Sequence, residues 1–405
     1  MRNNIEDFHE QITDCTSCQM CFAVCPTKAI TIELNKEGFY RPIVNKEKCI
    51  SCGKCKNSCY KFDKNIVMSN VNIAAYAAKS KSQKILGNST SGGVSTHIAE
   101  TLIEQGYKIV GVTYNYKRNR AENIIIDNSN DLYKIQGSKY IQSYSAEVFE
   151  KVISDFSYDL DEKYAIFGLP CQIYAIDKYL QQINRRENFI LIDLFCHGCP
   201  SMFLWNKYLQ DIIMKNNLDE IKKIEFRSKI KGWHEFIVTI RDKNGKIFIS
   251  ENELSPFFRL FFSDKILNKS CYNCKLRSTL EYTDIRIGDY WGKKYDLDSE
   301  GVSAVVLVTN KGKDMFDKIK EKIHIEGATL TDIIKNQSYG KEYEINLDFR
   351  NELLSMLKES EDIDTFLKKY HKTLSYKEKT KYFIKKVYYL FPSKIRLLLK
   401  KYYHS

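Results

Sequence analysis

Two runs of four cysteines near the N terminus constrain the fold of this chain more than any other feature. The spacing C-x2-C-x2-C-x3-C occurs at Cys15, Cys18, Cys21 and Cys25, and again at Cys49, Cys52, Cys55 and Cys59. Three closely spaced thiolates can surround one face of a cubane iron–sulfur cluster, whereas the fourth cysteine reaches a second cluster. The spacing therefore predicts crossed ligation, in which Cys59 completes the first trio and Cys25 completes the second.

The segment between the two runs predicts two short strands, at residues 29–34 and 39–44, joined by a polar turn with Gly38. Residues 5–68 resemble a bacterial-type ferredoxin with two [4Fe-4S] clusters. Tyr60 replaces the proline that usually follows the second run, which alters packing but removes no ligand. The alternative is a pair of zinc knuckles, although the doubled spacing is not typical of zinc sites.

Length and composition set the wider limits. A chain of 405 residues predicts two or three domains. Thirteen cysteines with no visible signal peptide indicate a reducing compartment, so we expect a cytoplasmic protein. The apolar stretch at 302–308 is far too short to cross a membrane and predicts a buried strand.

Strands and helices alternate in the middle of the chain. Strands at 74–78 and 109–114 flank the turn NSTSGG and a helix at 94–105, and a hairpin is predicted at 236–241 and 246–250. Apolar strands at 164–167 and 189–195 each lead into a cysteine-containing turn and a helix. This alternation predicts an α/β layer structure whose strand ends face one site. The fold class is α/β (α+β overall), with a ferredoxin-like domain at 1–70, a mixed α/β domain at 71–345 and a basic helical tail at 346–405.

Five cysteines lie outside the two runs: Cys171, Cys196, Cys199, Cys271 and Cys274. The pairs 196/199 and 271/274 would satisfy a structural zinc ion, and a third iron–sulfur cluster fits the same residues. A thioredoxin-type redox pair at 196/199 is a poorer match, because the usual surrounding pattern is missing. Taken singly, Cys171 could be an inert buried thiol.

Six segments in order carry a family resemblance: STSGG (89–93), QGSKYIQS (136–143), GLPCQ (168–172), LFCHGCPS (194–201), CYNC (271–274) and DIRIGDYWG (284–292). Together they resemble the family of coenzyme F420 hydrogenase and dehydrogenase beta subunits over roughly residues 72–345. The resemblance implies binding of FAD and an iron–sulfur cluster, with hydride passed between the flavin and F420. Many bacterial relatives share the two-part layout without known F420 chemistry, and a number of them are associated with surface-polysaccharide or sugar metabolism.

The resemblance also implies residue roles. The implied ligands of the domain's own [4Fe-4S] cluster are Cys171, Cys196, Cys271 and Cys274, and Cys199 has no clear counterpart. The implied flavin-site residues are Thr90, Ser91, Gly92, Gly93, Ser138, Lys139 and Tyr140. Residues 89–93 are also consistent with an ordinary helix N-cap and a tight turn. Lys139, as a phosphate ligand or flavin-tuning group, and Asp289, as a proton-handling group, are the candidate catalytic residues; a solvated lysine and a turn aspartate are the alternatives.

These features predict an oxidoreductase that couples hydride chemistry at FAD to single-electron transfer through [4Fe-4S] clusters. Its expected partners are a redox protein or ferredoxin and a small-molecule hydride donor or acceptor, of which F420 is one candidate. The alternative is an electron-transfer subunit with a degenerate flavin site, which only connects a partner enzyme to its electron source.

Positive charge is concentrated in the C-terminal tail. Residues 371–405 hold ten Lys or Arg and one acidic residue, a net charge of +9 out of +12 for the chain. The remainder is nearly neutral, so no nucleic-acid partner is expected. Phe383, Ile384, Val387, Tyr388 and Phe391 recur at helical spacing before Pro392 interrupts, and 395–399 continue the pattern. Such a helix either lies on an anionic membrane or packs its apolar stripe on the body of the protein.

Overall fold

The computed structural model describes residues 3–5, 14–63, 66, 73–391 and 395–396. In the cysteine-rich part (residues 14–63), the two predicted strands form an antiparallel pair between two short helices, and the elements are α1 (Met20–Ala23), β1 (Ile30–Leu34), β2 (Tyr40–Val44) and α2 (Lys54–Asn57). Positive φ angles recur at equivalent places in the two runs, at Ser17 and Gln19 and at Ser51 and Gly53. The left-handed backbone there lets each loop turn tightly around its cysteines.

The strands and helices of the central region follow in this order: β3 (Ala74–Ser80), α3 (Gln83–Asn88), α4 (Val94–Glu104), β4 (Lys108–Asn115), β5 (Arg120–Ile126), β6 (Ser143–Tyr144), α5 (Ala146–Tyr158), β7 (Tyr164–Gly168), α6 (Pro170–Gln182), β8 (Phe189–Leu194), α7 (Met202–Lys215), β9 (Ile221–Ser228), β10 (Ile237–Asp242), β11 (Ile247–Ile249), α8 (Pro256–Phe261), β12 (Ile285–Asp289), β13 (Ser303–Leu307), α9 (Asn310–Asp317), β14 (Ile323–Ala328) and α10 (Leu330–Ile334). Three helices form the end of the described chain: α11 (Leu347–Glu359), α12 (Ile363–Thr373) and α13 (Tyr376–Leu390). The mixed α/β class is confirmed.

Nine strands make one mixed sheet in the order β14-β3-β13-β12-β8-β7-β4-β5-β6. The four central strands, β12, β8, β7 and β4, run parallel, whereas antiparallel pairs flank them on both sides. Residues along β8 alternate between the two faces: Phe189 and Leu191 pack on one apolar core, Ile190 and Ile192 on the other. Buried on both faces, the parallel strands place their carboxyl ends, and the cysteines that follow, at one edge.

A second, three-stranded antiparallel sheet, β11-β10-β9, contains the predicted hairpin. It shares an aromatic core with α7 and α8, where Trp205, Phe226 and Phe257 are fully buried. Helices α11 and α12 pack into the same core through residues such as Leu353 and Phe366. The tail predicted at 346–405 is therefore partly an integral layer of the protein. The interruption at Pro392 and most of 395–399 lie outside the described residues.

The cysteine-rich part docks on the sheet through buried polar contacts. The Gln19 amide nitrogen donates to the Ser143 carbonyl (2.9 Å), and its oxygen accepts from the backbone N–H groups of Ser145 and Ala146 (2.8 and 3.0 Å). Gln19 thereby caps the N terminus of α5 from the other part of the chain. No helix in the described ranges has both the length and the apolar character needed to cross a bilayer.

Candidate functional site

Two small cavities in the cysteine-rich part are each lined by four cysteines. Cavity A, about 350 Å³, is lined by Cys15, Cys18, Cys21 and Cys59. Cavity B, about 310 Å³, is lined by Cys25, Cys49, Cys52 and Cys55. Each cavity combines three cysteines of one run with the last cysteine of the other. The structure thus brings together the two crossed sets that the spacing predicts.

A third cavity, C, of about 580 Å³ lies where the cysteine-rich part meets the sheet. All five remaining cysteines line it: Cys171, Cys196, Cys199, Cys271 and Cys274. Cys171 follows β7 and Cys196 follows the neighbouring parallel strand β8, so the sheet itself brings these two thiols to one edge. Cys199 is buried in the same wall, and its position does not set it apart from the four cysteines that the resemblance implies as ligands.

The cysteines surround these cavities and do not converge on one point. Among the residues that the structure describes, no group of three or more His, Cys, Asp or Glu is placed to hold a single metal ion. A zinc ion needs its ligands within about 2.0–2.3 Å. A cubane cluster instead binds each thiolate at a separate iron. Four cysteines around cavity A and four around cavity B match the number of thiolates that a cubane cluster binds.

Burial, reinforced by neighbouring thiols, raises the pKa of several of these cysteines. Burial and the nearby Cys15 raise the pKa of Cys18 to about 11, and burial with Cys271 and Cys274 raises that of Cys196 to about 12. The pKa of Cys171 is raised in the same way, with Cys18 of cavity A acting on it as the largest electrostatic cause. Backbone hydrogen bonds at Cys18 and the charges of Arg277 and Arg286 near Cys196 offset only part of this desolvation, so thiolates at these positions would be stabilised by a bound cation.

A fourth cavity, D, of about 1270 Å³ lies at the same edge of the sheet. Five of the seven residues that the resemblance implies for a flavin line it: Thr90, Ser91, Gly93, Ser138 and Lys139. Tyr140 instead packs edge-on against Phe258 and Phe261. Gly92 lies against β3, where a Cβ atom would come within 2.4 Å of the Ala78 carbonyl oxygen. Gly92 and Tyr140 therefore do not line cavity D but lie next to residues that do.

A hydrogen bond joins the STSGG loop to the QGSKY segment, and the resemblance implies both segments for the flavin site. The Thr90 hydroxyl accepts from the Ser138 backbone N–H (2.8 Å), which ties residues 89–93 to QGSKY. Gly93 adopts φ 79° as the N-cap residue of α4 and contributes no side-chain cap. Cavity D therefore opens at the N terminus of an 11-residue helix, where free N–H groups and the helix dipole favour an anion.

Lys139 is half-buried, with its amine bound by backbone carbonyl groups, and is not the solvated surface lysine of the alternative interpretation. Its amine donates to the carbonyl oxygens of Ile135 (3.1 Å) and Gln136 (2.8 Å). Burial lowers its pKa to about 7. The amine thus loses its proton near neutral pH, and a negative charge in cavity D would restore it.

Asp289, the candidate proton handler, has both carboxylate oxygens occupied. One accepts from Arg227 (2.7 Å), whose side chain is 1% exposed, and the other accepts from the Trp233 indole N–H (2.6 Å). Trp233 in turn stacks on Trp291 at 5.0 Å. The sequence motifs do not indicate Arg227 or Trp233, since no motif connects them to the GDYWG segment. These contacts assign Asp289 a positioning role in the wall of cavity D.

Cavities A, C and D adjoin in that order, and cavity B lies near A within the cysteine-rich part. Thr16 and Ser17 line both A and C, while Ser143, Leu169 and Gln172 line both C and D. Within the cysteine-rich part, Cys55 of cavity B acts electrostatically on Cys21 of cavity A. The thiol sets therefore form a continuous series that ends at the large cavity.

Comparison with known proteins agrees with this geometry. Residues 75–150 match the family described as the N-terminal part of the coenzyme F420 hydrogenase/dehydrogenase beta subunit, and residues 161–333 match the family described as the C terminus of that beta subunit. Residues 14–63 match a 4Fe-4S dicluster domain. The resemblance predicted from the six motifs and the cysteine runs is confirmed.

Two curated relatives and one solved structure are similar over most of the chain. The F subunit of the F(420)H(2) dehydrogenase of Methanosarcina mazei is 25% identical over 77% of this chain and 84% of its own length. Coenzyme F420-dependent sulfite reductase of Methanocaldococcus jannaschii is 22% identical over 82% of this chain, which spans half of that relative. A chain of the F420-reducing [NiFe] hydrogenase complex from Methanosarcina barkeri aligns with a TM-score of 0.45 and 20% identity, over 74% of this chain and 91% of that one.

Replacing Asp289 by Asn tests its positioning role. The substitution leaves the Arg227 guanidinium buried without its counter-charge, so we expect a loss of about 3 kcal/mol in the free energy of unfolding. Anaerobic urea denaturation followed by tryptophan fluorescence measures it. Glu326→Gln is the matched control, because it removes the carboxylate from an ion pair whose side chains are about half exposed, and we expect a change below about 0.5 kcal/mol. Equal stability of D289N and the wild type would contradict the positioning role.

Proposed function

This chain belongs to the family of coenzyme F420 hydrogenase/dehydrogenase beta subunits, with a 4Fe-4S dicluster domain at its N terminus, and on that basis we propose that it is a flavin-dependent iron–sulfur oxidoreductase. In this proposal cavities A, B and C each hold a [4Fe-4S] cluster and cavity D holds FAD. A small hydride donor or acceptor meets the flavin, and a redox partner protein or ferredoxin exchanges single electrons with the clusters.

The series of adjoining cavities is the observation that supports the proposal most. Three cysteine-lined cavities lead to one large cavity, with shared walls between A and C and between C and D. A flavin supplies the exchange between two-electron hydride chemistry and one-electron transfer. A protein built only to carry electrons between clusters would need no cavity of about 1270 Å³ at the end of the series.

Cavity D offers a flavin dinucleotide both polar donors and apolar surface. The α4 N terminus and Lys139 offer a helix dipole and an amine to a pyrophosphate, whereas Ala99, Val112 and Ile141 offer apolar surface to rings. In this arrangement Lys139 holds a proton near the cofactor, while Arg227 and Asp289 keep the wall in place.

For the hydride substrate we propose a class of compound, a small-molecule hydride donor or acceptor, and not a single compound. F420 is the candidate that the family implies, because the curated relatives are named for it. A role in surface-polysaccharide or sugar metabolism stays a prediction from the resemblance alone. A peripheral membrane contact through the basic C-terminal helix is a further part of the proposal, supported by the tail's charge and the exposed face of α13.

Iron counting separates the possible ligand sets of cavity C. Anaerobically purified protein should hold about 12 iron atoms, as three four-iron clusters require. We expect Cys171→Ser to lower the count by up to about four atoms, because that cluster loses a ligand, and Cys199→Ser to leave it unchanged. If iron fell with Cys199→Ser and held with Cys171→Ser, a site built from the 196/199 and 271/274 pairs would replace the proposed cluster.

The pH dependence of FAD binding tests Lys139. Without cofactor, the amine has a pKa of about 7, and a nearby phosphate would raise it. Affinity is then complete below pH 7 and weakens as the pH rises towards the bound-state pKa, by up to about tenfold per pH unit. Fluorescence titration of flavin-free protein between about pH 6 and 9 measures this.

Two variants control that measurement. Lys139→Arg keeps its charge throughout, so its FAD affinity should not change with pH. Lys139→Met should bind more weakly below pH 7 and also show no pH dependence. A wild-type affinity that is flat with pH, or a Met variant that binds as tightly as the wild type, would remove Lys139 from the phosphate site.

Stopped-flow mixing of the photoreduced protein with F420 tests the hydride step. We expect rapid loss of the visible absorbance of F420, together with reoxidation of the flavin. Reoxidation by another hydride acceptor alone would retain the flavin enzyme and replace F420 as its substrate. If F420, NAD(P) and other acceptors all failed, the electron-transfer subunit would become the better account.

A further inference from the structure

Helix α13 is attached to the body of the protein through its polar side. Glu378 forms an ion pair with Lys265, Lys385 with Glu253 (2.7 Å), and the Tyr389 hydroxyl donates to the same Glu253 (2.7 Å). The Tyr382 ring lies 3.8 Å from the guanidinium carbon of Arg259. Residues 378, 382, 385 and 389 are spaced by three or four, so they occupy one face of the helix.

The opposite face is apolar and exposed. Phe383 is 65% exposed and Leu390 is 78% exposed, and Tyr376 and Val387 lie on the same stripe at helical spacing. No side chain of α13, which is described along its whole length, is buried. The sequence left open whether this stripe packs on the body, and the structure shows that it faces away from it.

The neighbouring helices show that this orientation is specific to α13. Helices α11 and α12 turn Leu353, Leu357 and Phe366 into the aromatic core, as amphipathic helices on a globular protein usually do. Only α13 reverses the arrangement among these three. Leaving so much apolar surface in contiguous contact with water is unfavourable, and such patches mark interaction surfaces.

Lysines border the apolar stripe on both sides. At 100° per residue, Lys379 and Lys386 lie along one edge, and Lys377 and Lys381 along the other. An apolar stripe between two rows of cations is complementary to an anionic bilayer surface, where rings enter the acyl boundary and amines reach headgroup phosphates. A second copy of this chain would instead oppose two segments of the same strong positive charge.

We propose that α13 lies in the interface of an anionic membrane and holds the protein there through Tyr376, Phe383, Val387 and Leu390. The body docks on the polar side of the helix, through Glu253, Arg259 and Lys265, and so stays on the aqueous side. This inference rests on the packing of α13 and needs neither the flavin nor the clusters. It adds to the proposed function the surface and the lipid class of the membrane contact.

Flotation of the full-length holoprotein with lipid vesicles tests the proposal. We expect at least tenfold tighter binding to vesicles with about 30 mol % phosphatidylglycerol than to pure phosphatidylcholine, weakening as salt is raised. The double variant Phe383→Ser/Leu390→Ser should bind at least tenfold more weakly than the wild type, because two anchoring side chains lose their apolar contact.

The matched control is Ile230→Ser/Leu297→Ser, which removes two comparably exposed apolar side chains elsewhere (59% and 77% exposed) and should bind as the wild type does. Circular dichroism and iron content verify that each variant folds and is loaded. Equal binding of wild type and stripe variant, or no preference for the anionic vesicles, would overturn the proposal. So would a dimer on size-exclusion chromatography that the stripe variant dissociates, since the apolar face would then bind a second copy.

Discussion

Mutual burial of thiols is the interaction on which the rest of this structure depends. Cavities A and C place cysteines such as Cys18, Cys171 and Cys196 in surroundings that raise their pKa. The charges of neighbouring thiolates raise these pKa values further. Deprotonating them all inside the protein is unfavourable without bound cations. Iron binding is therefore linked to the packing of the loops that carry the cysteines, and to the contact between the cysteine-rich part and the sheet.

Cavity D differs from the cysteine-lined cavities because its surroundings favour a bound anion and not a bound cation. Its candidate carboxylate, Asp289, is neutralised by Arg227 and accepts a hydrogen bond from Trp233, while its amine, Lys139, donates to two carbonyl groups and has its pKa lowered by burial. Together with the N terminus of α4, this leaves a site that gains from receiving a negative charge. An anionic cofactor fits such a site better than a neutral metabolite. This preference depends on the hydrogen-bond and ion-pair partners of Asp289 and Lys139, and not only on which residue types line the cavity.

The sequence predicted best what depends on short spacing. The crossed cysteine sets, the pair β1 and β2, and the strands that end before Cys171 and Cys196 all follow from local patterns. It could not predict the pairing of Arg227 with Asp289, because 62 residues separate them and only the approach of β9 and β12 brings them together. Lys139 was identified through the family resemblance, but its burial was not. The outward orientation of the apolar face of α13 could not be predicted either, since an amphipathic pattern does not determine what its apolar side contacts.

The boundary predicted near residue 70 does not separate two apolar cores. Met20, Ile30 and Tyr40 of the cysteine-rich part pack in one apolar cluster with Phe149 of α5 and Ile173 of α6. Tyr60, which stands where the second run would usually have proline, is buried in that cluster, with its ring edge-on to Tyr174 of α6. A residue that alters only local packing in an isolated ferredoxin thus becomes part of the contact between the cysteine-rich part and α6. Separating the two parts would expose this shared apolar surface and one wall of cavity C, so the electron path and the fold are stabilised by the same residues.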